Sequence, residues 1–175
     1  GGNTEAVIDL PAAGRYFLEV SDGNDDARSV QPYSMQTLFT ASPDEFEPNQ
    51  DFGHAIAIGV DRSIQATILP AGDADWFSFL VDHHGELVVQ VSSVPAEMDV
   101  VFRLWNNNKD VLTNWFAPLA KGGNTEAVID LPGPGRYFLE VRDGNDDARS
   151  ITPFTLSTTF TPSAEVGEPN NTFES

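Results

Sequence analysis

The sequence predicts an all-β fold: an antiparallel β-sandwich of the jelly-roll kind, in tandem repeats of about 120 residues. Three observations lead there. Apolar residues fall in short clusters, many alternating with polar ones, and make up 40% of the chain, enough for a core. Twelve prolines and 14 glycines punctuate the 175 residues, which favours short strands over long helices. The stretch GGNTEAVIDLP opens the chain at Gly1 and returns at Gly122.

The elements of the complete unit follow in order. Ser63–Leu69 (SIQATIL) alternates as a half-buried strand does and stops at the turn PAGDAD. Trp76–Val81 (WFSFLV) ends at DHHGE, and Leu87–Val94 (LVVQVSSV) is rich in β-branched residues. Asp99–Trp105 (DVVFRLW) runs into the polar turn NNNKD, with a shorter strand, Val111–Phe116, beyond it. Glu126–Leu131 (EAVIDL) alternates again before PGPG, Arg136–Val141 (RYFLEV) stops at RDGNDDARS, and Pro153–Phe160 (PFTLSTTF) closes the unit. The stretch EFEPNQDFGHAIAI has helical character that Pro48 and Gly53 limit. Trp76, Phe77, Phe79, Phe102, Trp105, Tyr137 and Phe138 divide between core and face by alternation.

Residues 1–40 align with 122–161 at a constant offset of 121, and about three quarters of the positions are identical. The alignment continues into EPNQDF at Glu47 and EPNNTF at Glu168. A period this long is a domain; solenoid repeats run to roughly 20–50 residues. If each unit begins near EPN, residues 1–43 are the C-terminal part of a preceding repeat, 44–163 a complete one, and 164–175 the start of the next. A half sandwich exposes unpaired edges, so the expected partners are neighbouring copies of the same protein, in a tandem array or homopolymer.

Charge narrows the function classes. Twenty-seven acids against nine basic residues give a net charge of -18, which argues against nucleic acid or an anionic membrane as partner. It suits a cationic partner or surroundings rich in salt or divalent ions. No apolar run approaches the roughly 18 residues of a transmembrane helix. The absence of cysteine removes disulfides, thiolate metal sites and cysteine catalysis. His54 and the adjacent His83 and His84 match no catalytic spacing, and no G-x-S-x-G, H-E-x-x-H or phosphate-binding glycine loop occurs. The chain reads as non-catalytic.

The motif order is EPNQDFGHA, GDADWFSFLV, GELVVQV, MDVVFRLWN, LPGPGRYFLEV, TPFTLSTTF. It resembles the bacterial pre-peptidase C-terminal domain family, over Glu47 to Phe160 and both partial copies. The resemblance implies a β-sandwich of a secreted or cell-surface bacterial protein, related to the collagen-binding domains of clostridial collagenases. Those relatives hold calcium with their EPN-containing segment and with an acid-rich turn before an aromatic strand.

Carried onto this sequence, that implies a calcium site at Glu47 (or Glu45), Asn49, Asp51, Asp73 and Asp75, with Gln50 where the family often has Asp. Calcium takes about six to eight oxygen ligands, and these residues are all oxygen donors. A second, weaker acidic cluster is Asp143, Asn145, Asp146 and Asp147 in DGNDDARS. Two functions compete. One is an extracellular structural array or filament, calcium-stabilised at the repeat junctions. The other is a module appended to a secreted enzyme that binds a polysaccharide or fibrous protein, with Trp105 and Trp115 as its platform.

Overall fold

The computed structural model describes residues 2–10, 13–42 and 45–163. The expected start of a next repeat, 164–175, lies outside them. The chain divides into two units, Gly1–Ala41 and Ser42–Ser175. In the second unit a single 3-10 turn, η1 (Phe52–His54), precedes eight strands: β1 (Ile56–Ala57), β2 (Arg62–Ala66), β3 (Ala74–Val81), β4 (Gly85–Ser92), β5 (Val100–Asn106), β6 (Thr125–Leu131), β7 (Gly135–Asp143) and β8 (Phe154–Pro162).

Two four-stranded sheets pack as a sandwich, ordered β1-β3-β7-β5 and β2-β8-β4-β6. Consecutive strands alternate between the sheets, so every connection crosses the sandwich and no sequence neighbours are hydrogen-bonded to each other. β7 lies between β3 and β5, with register from Ala74↔Arg142 to Val81↔Gly135 on one side and Val100↔Asp143 to Asn106↔Tyr137 on the other. β8 lies between β2 and β4. The inward residues alternate along each strand: Phe77 and Phe79, Leu87, Val89 and Val91, Phe102 and Leu104, Leu139 and Val141, Phe154 and Leu156 are all buried. Phe46 meets Phe77 edge-on, ring centroids 5.7 Å apart.

Two close approaches depend on glycine. Gly122, in the turn into β6, has φ +72°, a left-handed conformation that favours glycine, and a Cβ there would lie 3.0 Å from Ala96 Cα. At Gly85 a Cβ would lie 2.3 Å from the Thr161 carbonyl oxygen, so only glycine lets β4 start against β8.

Three strand expectations change. Val111–Phe116 is not a strand: it touches β5 through two isolated bridges, Val111↔Trp105 and Phe116↔Phe102, and between them the Thr113 hydroxyl accepts the Leu104 N–H at 3.0 Å. β1 runs parallel to β3, not antiparallel. β3 begins at Ala74, so Asp75 belongs to a strand and shares the inward parity of Phe77.

The first unit has no helix or strand among its described residues, although positions 4–10, 14–22 and 33–41 repeat β6, β7 and β8. Val7, Ile8, Phe17, Leu18, Val20, Tyr33, Met35 and Phe39 are exposed there. The topology explains this, since β6, β7 and β8 share no pair among themselves and each bonds only to strands of the 45–121 half. Only the turn survives in both copies. Asp22 Oδ2 accepts the N–H groups of Asp26 and Ala27 at 3.0 and 3.3 Å, as Asp143 Oδ2 accepts those of Asp147 and Ala148 at 3.0 and 3.1 Å. Asp25 and Asp146 both adopt positive φ, 53° and 55°.

The same residue therefore has two weights. Leu139→Ala is expected to cost about 2–5 kcal/mol in urea unfolding, the range for a buried leucine. The equivalent Leu18→Ala is expected to stay within about 0.5 kcal/mol of the unaltered chain.

Candidate metal centre and the outer aromatic face

Glu47, Asp73 and Asp75 each offer a carboxylate oxygen, all within 4.8 Å of one another. Each arrives by a different route. Asp75 is carried inward by β3 and is fully buried. Asp73 leaves a turn in which its N–H bonds to the Pro70 carbonyl at 3.2 Å, while its own Oδ1 accepts the Ala74 N–H at 2.9 Å. Glu47 accepts the side-chain amide of Gln50. Asn49 ties the opening segment to β3, its carbonyl accepting the Trp76 N–H at 2.9 Å. Its side chain is fully buried, and neither amide atom has a hydrogen-bond partner.

Asp51 stands apart from this group. It caps η1, accepting the Gly53 and His54 N–H groups at 2.7 and 3.1 Å, and meets His54 Nδ1 at 2.9 Å. The His54 hydrogen bond, then the backbone N–H of Gly53, hold its carboxyl below the usual carboxylate range. Glu45 is exposed.

The second acidic cluster has a different membership from the expected one. Asp143 and Asp147 gather with Asp99, which the sequence reading did not single out. Asp146 turns to Arg142, 3.5 Å away, and Asn145 donates to Asp99 Oδ2 at 3.0 Å. The fully buried Asp143 accepts the N–H groups of Asp99, Asp147 and Ala148, and the Lys121 ammonium sits 2.8 Å from Asp147. Burial works against the Asp143 charge, but these donors outweigh it and hold its carboxyl below the usual range. Burial, then the Asp143 carboxylate beside it, push Asp99 up. This knot closes the β7–β8 turn and ties it to the start of β5.

The two tryptophans belong to a stack along the outer face of the β1-β3-β7-β5 sheet. Arg103 lies 4.4 Å from the Trp105 ring centre and 4.3 Å from that of Trp115, and Arg142 lies 4.5 Å from Trp115. Trp76 continues the row to Trp105 at 5.4 Å, and Phe52 stacks on Phe138 at 3.9 Å. The nearly buried Glu140 carboxylate joins them, accepting Arg103 Nε at 2.7 Å and Trp105 Nε1 at 3.0 Å. Guanidinium groups thus pack against the rings expected to form a ligand platform, and Trp115 pins its loop over the β5 edge.

Two outcomes follow from these networks. Arg103→Ala leaves the Glu140 charge buried without its partner and is expected to cost about 3–5 kcal/mol in chemical denaturation, with Arg103→Lys losing less. For the acidic knot, Asp99→Asn in the presence of chelator is expected to raise the melting temperature at pH 7, because ionised Asp99 opposes Asp143. That gain should shrink as the pH falls through the raised Asp99 value, where Asp99 is already protonated. Asp143, with its lowered value, keeps its own contribution until the pH falls further. Melting curves from pH 3 to pH 8 check both signs.

No family model and no curated protein matches the chain. Among solved structures the chain is similar to the pre-peptidase C-terminal domain of a collagenase from Bacillus anthracis, at 21% identity over 60% of this chain and 94% of that one, with a TM-score of 0.48. It is also similar to the secreted serine protease VesC from Vibrio cholerae, at 16% identity over 59% of this chain and 22% of that one, with a TM-score of 0.42. A third likeness is to a cycloisomaltooligosaccharide glucanotransferase from Paenibacillus sp., at 15% identity over 55% of this chain and 16% of that one, with a TM-score of 0.32.

Proposed function

We propose that this chain is a non-catalytic β-sandwich repeat, of the pre-peptidase C-terminal type, from a secreted or cell-surface bacterial protein. Its repeats form an extracellular structural array, and calcium held by Glu47, Asn49, Asp73 and Asp75 stiffens the joint where the opening segment meets the sandwich. The observation that carries the calcium reading is Asn49, fully buried with neither amide atom hydrogen-bonded, on the segment that also brings Glu47 to Asp73 and Asp75. Three carboxylate oxygens within 4.8 Å of one another, two of them on buried aspartates, form the all-oxygen donor set that a hard divalent cation suits. Asp51, engaged in its cap, stays outside the ligand set. Calcium is assigned to the first cluster, the one that holds the buried Asn49 amide. The repeat of residues 1–40 at 122–161 supports the array.

Calcium titration tests this. At a free concentration of about 100 Kd, a ligand of the folded state adds about 2.7 kcal/mol. That corresponds to roughly 5–10 °C in a domain of this size. Asn49→Ala and Asp75→Asn should abolish the shift and the calorimetric binding signal, while the surface variant Asp146→Asn keeps both. A melting temperature indifferent to calcium and to chelator would remove calcium from the proposal. Sedimentation of only independent monomers at working concentration would remove the array.

A further inference from the structure

We infer that the outer edge of β6 receives an extended basic segment of a partner protein as an added strand, and that it reads a cation on either side of a β-branched residue. The inference rests on neither calcium nor the array. β6 is the last strand of its sheet and bonds to β4 alone among the described strands. That pairing runs unbroken from Thr125↔Val91 to Leu131↔Gly85, and β6 contains no proline and no lysine. The other edges are short or covered, as exposed edges usually are. β5 is met by Val111 and Phe116, β1 is two residues long and β2 five.

The ladder fixes which groups this edge offers. In an antiparallel ladder the N–H and C=O of one residue point to one side and those of the next residue to the other. Phe160 donates its N–H to Asp61, beside β2, and Ser163 donates to the His84 carbonyl, beside β4. In β8 the even-numbered residues therefore face β2 and the odd-numbered ones face β4. Glu86, Val88 and Gln90 pair with odd-numbered residues of β8, so Leu87, Val89 and Val91 face β6, where they meet Ile129, Ala127 and Thr125. The N–H and C=O groups of Glu126, Val128 and Asp130 remain for the outer edge. Their side chains are exposed on the outer face, Val128 between two carboxylates, and Glu86 opposite Asp130 adds a third. The one basic residue of these four strands, Arg62, has the inward parity of Ile64.

An added strand sets its own side chains opposite those three residues, where opposite charges attract and like charges repel. A second β6, antiparallel and centred on Val128, would set Glu126 against Asp130. The nine basic residues of this chain include no two that stand four positions apart. The edge thus fits a segment with two cations four residues apart and a β-branched residue midway, a pattern these 175 residues do not contain.

The probe is the capped peptide Thr-Lys-Thr-Val-Thr-Lys-Thr, compared with its Glu-for-Lys form and with a form N-methylated at valine. Amide hydrogen exchange is followed residue by residue by NMR on the whole chain. At about ten times Kd the basic peptide is expected to slow exchange at Glu126, Val128 and Asp130 about tenfold. The Ala127 and Ile129 amides, already bonded to β4, should not change. In fluorescence anisotropy, Glu126→Gln and Asp130→Asn should each weaken binding about two- to fivefold. Glu126→Lys combined with Asp130→Lys should turn the preference to the Glu form. N-methylation should abolish binding although the charge is kept. The inference is overturned if the basic peptide leaves the three amides unprotected. It is overturned equally if the N-methylated form binds as well as its parent, which reduces the site to charge attraction. Protection of the same amides that grows with protein concentration alone would also overturn it, since the occupant would then be a second copy. Calcium-dependent melting is independent of these results.

Discussion

Neither half of this sandwich holds its sheets without the other. β7 is the strand between β3 and β5, and β8 the strand between β2 and β4, so the last third of the unit supplies an interior strand to each sheet. Among β1 to β5 the only bonded pair is β1 with β3, and β1 is two residues long. Everything else in the structure is downstream of this interleaving. Both inward faces form together, and the pairings join segments far apart in sequence, which makes folding cooperative and its loop-closure cost high.

The acidic cluster at Asp75 and the outer aromatic stack are both consequences of where β7 places its neighbours. β7 fixes β3 along its whole length, and β3 carries Asp75 inward to meet Asp73 and Glu47. On the outer face, β7 and β5 run side by side in a register that sets Glu140 opposite Arg103 and Phe138 opposite Trp105. The guanidinium–tryptophan stack grows from that register. A cation at the first cluster would act on the inward end of β3, and the stack acts on the outward side of β5. The two clusters lie on opposite faces of one sheet.

The strands were legible in the sequence because alternation is a local property: EAVIDL, RYFLEV and LVVQV read as strands and are strands. Their pairing was not legible, because no two consecutive strands are partners and no hairpin turn reports a register. Asp99 escaped notice for that reason, since it reaches Asp143 only through the Val100↔Asp143 pairing of β5 with β7. At Asp51, which the resemblance counts among the metal ligands, a shorter-range demand, capping η1, engages the carboxylate. Val111–Phe116 has strand-like composition, yet the Thr113 hydroxyl takes a ladder position that a backbone carbonyl would fill.

The repeat separates what is encoded locally from what is encoded by the fold. DGNDDARS keeps its aspartate-centred turn in both copies, whereas EAVIDL and RYFLEV are strands only beside the 45–121 half. The ten differences between the two copies, over 40 aligned positions, carry a second message. Seven fall between Ile151 and Thr159, and β6 is unchanged. Within β7 the single change is Ser21 for Arg142. The core set is thus kept almost whole, while the residue that varies in β7 is the one whose guanidinium covers Trp115. A sandwich built with either copy would have nearly the same interior. It would differ on the outer face, where the Arg142 side of the tryptophan stack would be open.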